Sequence, residues 1–270
     1  MIAPGRARKR FGQHFLHDPH YIERIVSVIA PRTDDVLVEI GPGRGAITAP
    51  LARSGARLTA LELDRDLAAW LRERFANEDN VTIVEADALA FDVASLGAEL
   101  RVVGNLPYNI STPLLFRMIE VRHALRDLHF MLQKEVVDRM AAAPGTKAYG
   151  RLTVMLGCHM RVESLFDVPP GAFTPPPKVT SAVVRLRPRP AGELPIADAA
   201  GLSGIVKQAF GQRRKTLRNA LKGAVPPEQL EAAGIDPGGR AETVPIASWV
   251  RLSNAVAGPQ VTDRDRRFTM

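Results

Sequence analysis

The chain has 270 residues, 46% of them hydrophobic, and a formal charge of +7 from 36 basic and 29 acidic side chains. That length suits one large domain or a large and a small one, and a single cysteine, Cys158, excludes an internal disulfide framework and fits a reducing compartment. No apolar run approaches the roughly 20 residues that span a bilayer, and the basic start Met1 to Arg6 lacks the apolar stretch of a secretory signal, so a cytoplasmic protein without a membrane partner is expected.

The first two thirds alternate between helical and strand-like segments. Asp18-Pro19 reads as an N-cap followed by proline in the first helical turn, and Ile22, Ile25, Val26 and Ile29 then fall on one helical face. Val36 to Ile40, Leu58 to Glu62, Val81 to Val84 and Arg101 to Gly104 are short apolar runs that end in glycine or polar residues, the pattern of buried parallel strands. Arg65 to Phe75 reads as a helix. So does the segment opened by Ser111-Thr112-Pro113, with Leu114, Leu115, Met118 and Ile119 inward. Leu128 to Leu132 and Ala182 to Leu186 are later strands. This alternation predicts an α/β fold with a doubly wound, mostly parallel Rossmann-like sheet. Arg187-Pro188-Arg189-Pro190-Ala191-Gly192 reads as a linker. Beyond it only helical spacing remains, as in Leu202, Ile205, Val206, Ala209 and Phe210 and then Leu217, Ala220 and Leu221. The predicted division is residues 1–187, a linker at 188–198, and a small all-helical domain at 199–270, with a frayed tail from Asp263.

Charge is unevenly placed. Residues 1–17 carry Arg6, Arg8, Lys9 and Arg10 without an acid, and residues 202–227 carry Lys207, Arg213, Arg214, Lys215, Arg218 and Lys222 without an acid. Two such segments point to a polyanionic partner, although a solvated helix face would look the same.

Glu39-Ile40-Gly41-Pro42-Gly43-Arg44-Gly45 follows the first of the parallel strands. Glycines there let the backbone turn and approach a ligand at the carboxyl edge of the sheet. Glu62 and Asp64 end the next strand, about 20 residues on, where a carboxylate can take ribose hydroxyls. A dinucleotide dehydrogenase shares both features. Gly-x-Gly-x-Gly replaces the dinucleotide spacing, however, and Glu39 precedes it. Asp87, after the third strand, adds another acid that can accept an adenine amino proton. Carboxylates at three successive strand ends repel a pyrophosphate and suit a cationic sulfonium ligand.

The fourth strand runs into Gly104-Asn105-Leu106-Pro107-Tyr108. The Asn105 side-chain carbonyl and the Leu106 backbone carbonyl can accept the two protons of an exocyclic amine. Pro107 can fix the turn that aims them, and Tyr108 offers a face on which an extruded base can stack. Alone, this is equally a structural Asn-Leu-Pro turn. His14, His17 and His20 recur every three residues, but a helix start falls between them and no cysteine is near, so no metal site is expected.

Taken in order, Arg10 to Leu16, Glu39 to Gly45, Glu62-Leu63-Asp64, Asp87-Ala88, Asn105 to Ser111, Phe173 to Ser181 and Phe210 to Leu217 resemble the ribosomal RNA adenine N6,N6-dimethyltransferase family over almost the whole chain. Within that family, the chain resembles the bacterial enzymes that modify two adjacent adenosines in a hairpin near the 3′ end of small-subunit (16S) rRNA. The resemblance implies S-adenosylmethionine as cofactor, no metal, a monomer acting on the immature small subunit, and N6,N6-dimethyladenosine as product. It also implies roles. Gln13, His14 and Leu16 would fold over the cofactor; Gly41 and Gly43 would line its methionine portion, Glu62 its ribose, and Asp87 and Ala88 its adenine. Asn105 would serve cofactor and target, and Phe173 would face the target base opposite Tyr108. Arg213, Arg214, Lys215 and Arg218 would contact phosphates, positioning the RNA without reading it. A large-subunit adenine dimethyltransferase, and an assembly factor that acts chiefly by binding, are the alternatives.

Overall fold

The computed structural model describes residues 13–107 and 110–257; Tyr108, the basic arm Arg6 to Arg10 and the tail from Asp263 lie outside them. The apolar runs form the centre of one sheet. The strands in chain order are β1 (Phe15–Leu16), β2 (Val36–Ile40), β3 (Arg57–Glu62), β4 (Val81–Glu85), β5 (Leu100–Asn105), β6 (Leu125–Gln133), β7 (Met160–Val168), β8 (Phe173–Thr174) and β9 (Ser181–Pro188). Among the described residues seven of them pair in the order β4-β3-β2-β5-β6-β9-β7. Neighbours from β4 to β6 are parallel, whereas β9 runs antiparallel to both β6 and β7. This is the doubly wound, mostly parallel sheet expected, with an antiparallel edge the apolar pattern does not announce. β1 and β8 pair separately as a two-residue antiparallel ribbon.

Helices α1 (Pro19–Ile29), α2 (Thr48–Ala52), α3 (Arg65–Arg74) and α4 (Ser111–Glu120) flank the sheet, and α5 (Lys134–Met140) follows β6. The Asp18 carboxylate caps α1 by accepting the His20 N–H at 2.9 Å, as the Asp-Pro pair predicts. Ile25 and Ile29 then pack with Leu37, Leu58, Val103 and Met131 in one apolar cluster. The C-terminal end of α1 is held by a buried charge. Arg101 donates to the Ile29 carbonyl at 2.6 Å and the Ala30 carbonyl at 3.3 Å. It also pairs with Asp35 at 2.6 Å and Asp127 at 3.0 Å. A cation suits the negative end of a helix dipole, and two carboxylates offset its desolvation.

Contacts divide the chain into two compact units. Among the described residues, one takes those up to Asp138 together with Met160–Pro188; the other takes Arg139–His159 and those from Arg189 onward. The second unit is helical: α6 (Arg151–His159), α7 (Ala199–Gly211), α8 (Leu217–Ala220), α9 (Pro227–Ala232) and α10 (Ile246–Ala257). Its core holds Tyr149 and Trp249, both fully buried, with Phe210 between them at ring separations of 6.1 and 5.9 Å. The Tyr149 hydroxyl donates to the Val244 carbonyl at 2.7 Å. A helical unit therefore does follow the sheet, but it also recruits α6 from the middle of the sequence. Residues Thr153 to His159 of α6 are all buried, so this helix lacks the one-sided apolar stripe that reveals a surface helix. The proline-rich stretch is also anchored: Arg189 donates its backbone N–H to the His159 carbonyl at 2.9 Å and its Nε to the Gly157 carbonyl at 2.6 Å. Burial pushes the Cys158 thiol up to about 12, which leaves no reactive thiolate at neutral pH. No helix among the described residues is long and apolar enough to cross a membrane.

Candidate active site

β2 has β3 on one side and β5 on the other, so the chain leaves this point of the sheet in opposite directions. Side chains and loops diverge there, and a cleft opens at the carboxyl ends of the strands. It encloses about 1110 Å³, including the solvent at its mouth. The glycine loop forms one wall. Gly41 and Gly43 have φ of 67° and 57°, in the left-handed region that glycine enters without penalty. The Gly41 N–H donates to the Leu61 carbonyl at 2.9 Å. A Cβ on Gly43 would stand 3.1 Å from the Phe15 ring, so β1 packs directly on the loop.

Two carboxylates lie beneath. Glu62 is 6% exposed and accepts the Gly43 N–H at 3.1 Å and the Asp64 N–H at 2.9 Å. Burial raises its pKa, and these amide bonds oppose the rise. Glu39 is 2% exposed and accepts the Thr48 hydroxyl at 2.6 Å. Burial, with the Glu62 charge adding to it against the Thr48 bond, pushes the Glu39 carboxyl up to about 7. Glu39 is thus only partly ionised at neutral pH, which differs from the fully charged wall the sequence suggests; desolvation is the cause. A cation entering the cleft would favour the ionised form.

The cleft brings together Gln13, His14, Leu16, Gly41, Gly43, Glu62, Asp87, Ala88 and Asn105, with Leu106 and Pro107 on its edge. Asn105 ends β5 and donates its Nδ2–H to the His14 carbonyl at 3.0 Å. That bond fixes the amide and leaves Oδ1 as its acceptor. Leu106 is 1% exposed and donates its N–H to the Met131 carbonyl at 3.1 Å, while the Pro107 carbonyl accepts from Ile110 at 3.2 Å. Of the two acids at the end of β3, only Glu62 lines the cleft; Asp64 caps α3 through the Asp66 N–H at 3.1 Å. Phe173 is not on the cleft wall. It is 3% exposed, opposite Leu16 in the β1–β8 ribbon, and belongs to the apolar cluster under α1. Arg213, Arg214, Lys215 and Arg218 are exposed in the helical unit. Arg213 there donates to the Lys147 and Tyr149 carbonyls, each at 3.2 Å. Leu63, which the sequence reading places in a motif without a role, also lines the cleft. It is 51% exposed on the cleft wall between Glu62 and Asp64, and an apolar residue set between two acids at a strand end was the available signal. Thr48 was missed as well, because its partner Glu39 is found only by folding α2 back on β2.

A family model described as Ribosomal RNA adenine dimethylase matches residues 5–258. The chain belongs to the ribosomal RNA adenine dimethylase family. Relatives of the same length class agree. "Ribosomal RNA small subunit methyltransferase A" of Aromatoleum aromaticum is 56% identical over 93% of this chain and 95% of its own. The Pseudomonas aeruginosa protein of the same name is 54% identical over 93% and 95%. Among solved structures, the 23S rRNA methyltransferase ErmE has a TM-score of 0.74 at 28% identity, covering 90% of this chain and 99% of its own. A dimethyladenosine transferase from Plasmodium falciparum shares the fold, with a TM-score of 0.79 at 24% identity over 88% and 96%. Membership in the dimethylase family makes the chain a methyltransferase and removes the dinucleotide reading of its glycine loop.

Proposed function

We propose that this chain dimethylates N6 of two adjacent adenosines in a hairpin near the 3′ end of small-subunit (16S) rRNA during ribosome biogenesis, as a cytoplasmic monomer that uses S-adenosylmethionine and no metal. The observation that carries this reading is Asn105, fixed at the end of β5 with its Oδ1 available, across a cleft floored by two buried carboxylates.

The cleft fits the cofactor's chemistry. Glu39 and Glu62 offer buried acceptors beside glycine amides, Asp87 offers an exposed carboxylate at the end of β4, and Leu63 offers an apolar face beside it. When bound, S-adenosylmethionine supplies an electrophilic methyl group. The residues of the chain have the harder task, since the adenine amine is a poor nucleophile whose lone pair is drawn into the ring. Asn105 Oδ1 and the Leu106 carbonyl accept hydrogen bonds from its two N–H groups and favour the pyramidal form, and Pro107 stiffens the turn that aims them. Tyr108 stacks on the base. Phe173 does so from the other side once its ring turns out of the apolar cluster that buries it. Catalysis on this reading is positioning.

The small-subunit target follows the relatives of that name at 54% and 56% identity, against 28% for the large-subunit ErmE. Labelled methyl transfer to small-subunit particles, large-subunit particles and naked DNA, followed by nucleoside analysis, tests it. Dimethyladenosine in small-subunit RNA alone is expected. Label in the large subunit would favour the alternative substrate, and no label with tight particle binding would favour an assembly factor. Asn105→Ala should lower transfer by at least about a hundredfold, corresponding to loss of about 2.7 kcal/mol or more of transition-state stabilisation, with RNA binding retained.

A further inference from the structure

The helical unit joins two basic stretches that are far apart in sequence. Residues 139–159 carry Arg139, Lys147 and Arg151 and no acid, and residues 202–227 carry no acid either. Arg213 ties one to the other. Its guanidinium donates to the Lys147 and Tyr149 carbonyls, each at 3.2 Å, and lies 3.9 Å from the Glu242 carboxylate. The loop around Lys147 is fixed on both sides. Before it, the Gly145 N–H donates to the Glu242 carbonyl at 2.7 Å and the Thr146 hydroxyl donates to the Ala143 carbonyl at 2.7 Å. After it, Tyr149 donates its N–H to the Thr146 carbonyl at 3.2 Å while its ring is buried in the core of the unit. The Lys147 side chain takes no part in this. The residue is exposed, and among the described residues neither it nor Arg214, Lys215 or Arg218 forms an ion pair. An exposed cation adds nothing to the packing of a loop held in this way, and like charges on adjoining segments repel one another until an anion neutralises them.

We propose that Lys147 contacts a phosphate of the RNA, and that the RNA-binding face of the helical unit is built from both stretches. Lys147 comes from the loop before α6, Arg214, Lys215 and Arg218 come from the segment that runs from α7 into α8, and Arg213 is the strut between them. This rests on the reading of the chain as an rRNA methyltransferase. A sugar–phosphate backbone suits such a face because its charges recur along the strand, and because a lysine meets a phosphate as a point charge that reads no base. The fixed loop leaves only the lysine rotamers to be ordered on binding. The recruitment of residues 139–159 into the helical unit thus serves two ends: α6 fills its core, and the loop before α6 adds a cation to its face.

Lys147→Gln, Lys147→Arg and Arg57→Gln are compared with the wild-type protein for binding to unmethylated small-subunit particles over a potassium chloride series, and for Tm. Arg57 is an exposed cation at the start of β3, on the sheet edge opposite the cleft, and it controls for net charge alone. Lys147→Gln is expected to flatten the slope of log K against log salt by about 0.7 to 0.9, the share of one phosphate contact, and to weaken binding about fivefold near 0.1 M salt. Its Tm is expected to match wild type. Lys147→Arg is expected to keep the wild-type slope, and so is Arg57→Gln. The assignment is overturned if Lys147→Gln keeps the full slope, if Arg57→Gln flattens it as much, if Lys147→Arg falls as far as Lys147→Gln, or if the loss in Lys147→Gln comes with a lower Tm. Failure of the wild-type protein to bind small-subunit particles would overturn the substrate reading itself, a result separate from any pattern among the variants.

Discussion

Glu39 shares its buried place at the end of β2 with a threonine hydroxyl and a second carboxylate, and it titrates near neutrality as a result. Its carboxyl holds a proton up to about 7 in the folded chain, against 4.5 ordinarily. Between those values the folded chain binds more protons than the unfolded one. The sign follows: the contribution of Glu39 to stability falls as pH rises through that window and is gone above about 7. Urea midpoints of the ligand-free protein should therefore decline from pH 5 to pH 7.5 on account of this group, and Glu39→Gln should flatten that part of the slope. A cationic ligand acts in the opposite sense. It favours the ionised carboxylate, so its binding releases a proton below pH 7. Calorimetry should show S-adenosylmethionine affinity rising as pH approaches 7 and levelling beyond it. In Glu39→Gln the affinity should be lower at pH 8 and less dependent on pH, with Glu62 left as the buried acid of the wall.

Elements meet closely where β2 and β5 end. A Cβ on Gly104 would stand 2.6 Å from the Ile40 carbonyl and 3.0 Å from the Leu106 side chain. Backbone cannot yield as a flexible side chain can, so Gly104→Ala should cost about 1–3 kcal/mol, read as a lower urea midpoint, and should displace Asn105 enough to depress transfer further than the stability loss explains. The central strands and this turn were legible in the sequence because a strand buried on both faces is apolar throughout and the turns that end it are rich in glycine and acids. Asp18-Pro19 located the start of α1 for a similar reason, since one residue caps and the next fits only the first turn. Other elements were not legible. β7 exposes Arg161, Glu163, Ser164 and Asp167, which breaks an edge strand's apolar signal. α6 is buried all round and shows no stripe. The β1–β8 ribbon has two residues per strand, too few for any period, although it adjoins His14, whose carbonyl accepts from Asn105. Most of the cleft wall was found from local motifs, while the bonds that orient it, Thr48 to Glu39 and Asn105 to His14, join segments the sequence does not place side by side.

Over the whole molecule the excess of positive charge counts for less than where each cation is committed. Arg214, Lys215 and Arg218 are exposed in the helical unit, whereas Arg213 holds two carbonyls of the segment that leads into α6. Replacing Arg214, Lys215 and Arg218 with glutamine should weaken RNA binding and flatten its dependence on salt by about 0.7 to 0.9 logarithmic units per lost phosphate contact. Arg213→Gln should instead lower the thermal midpoint of the helical unit by an amount worth about 1–2 kcal/mol; filter binding over a salt series and a melt separate the two. That helical unit is built from two stretches of chain, and its history during synthesis follows. Tyr149 leaves the ribosome 95 residues before Val244, the residue whose carbonyl its hydroxyl needs. In that interval β7 and β9 are made and can complete the sheet, while the apolar side chains of α6 wait without their partners. A nascent chain that has emerged to about residue 190 would carry a finished sheet and a stranded hydrophobic helix, an obvious target for a chaperone.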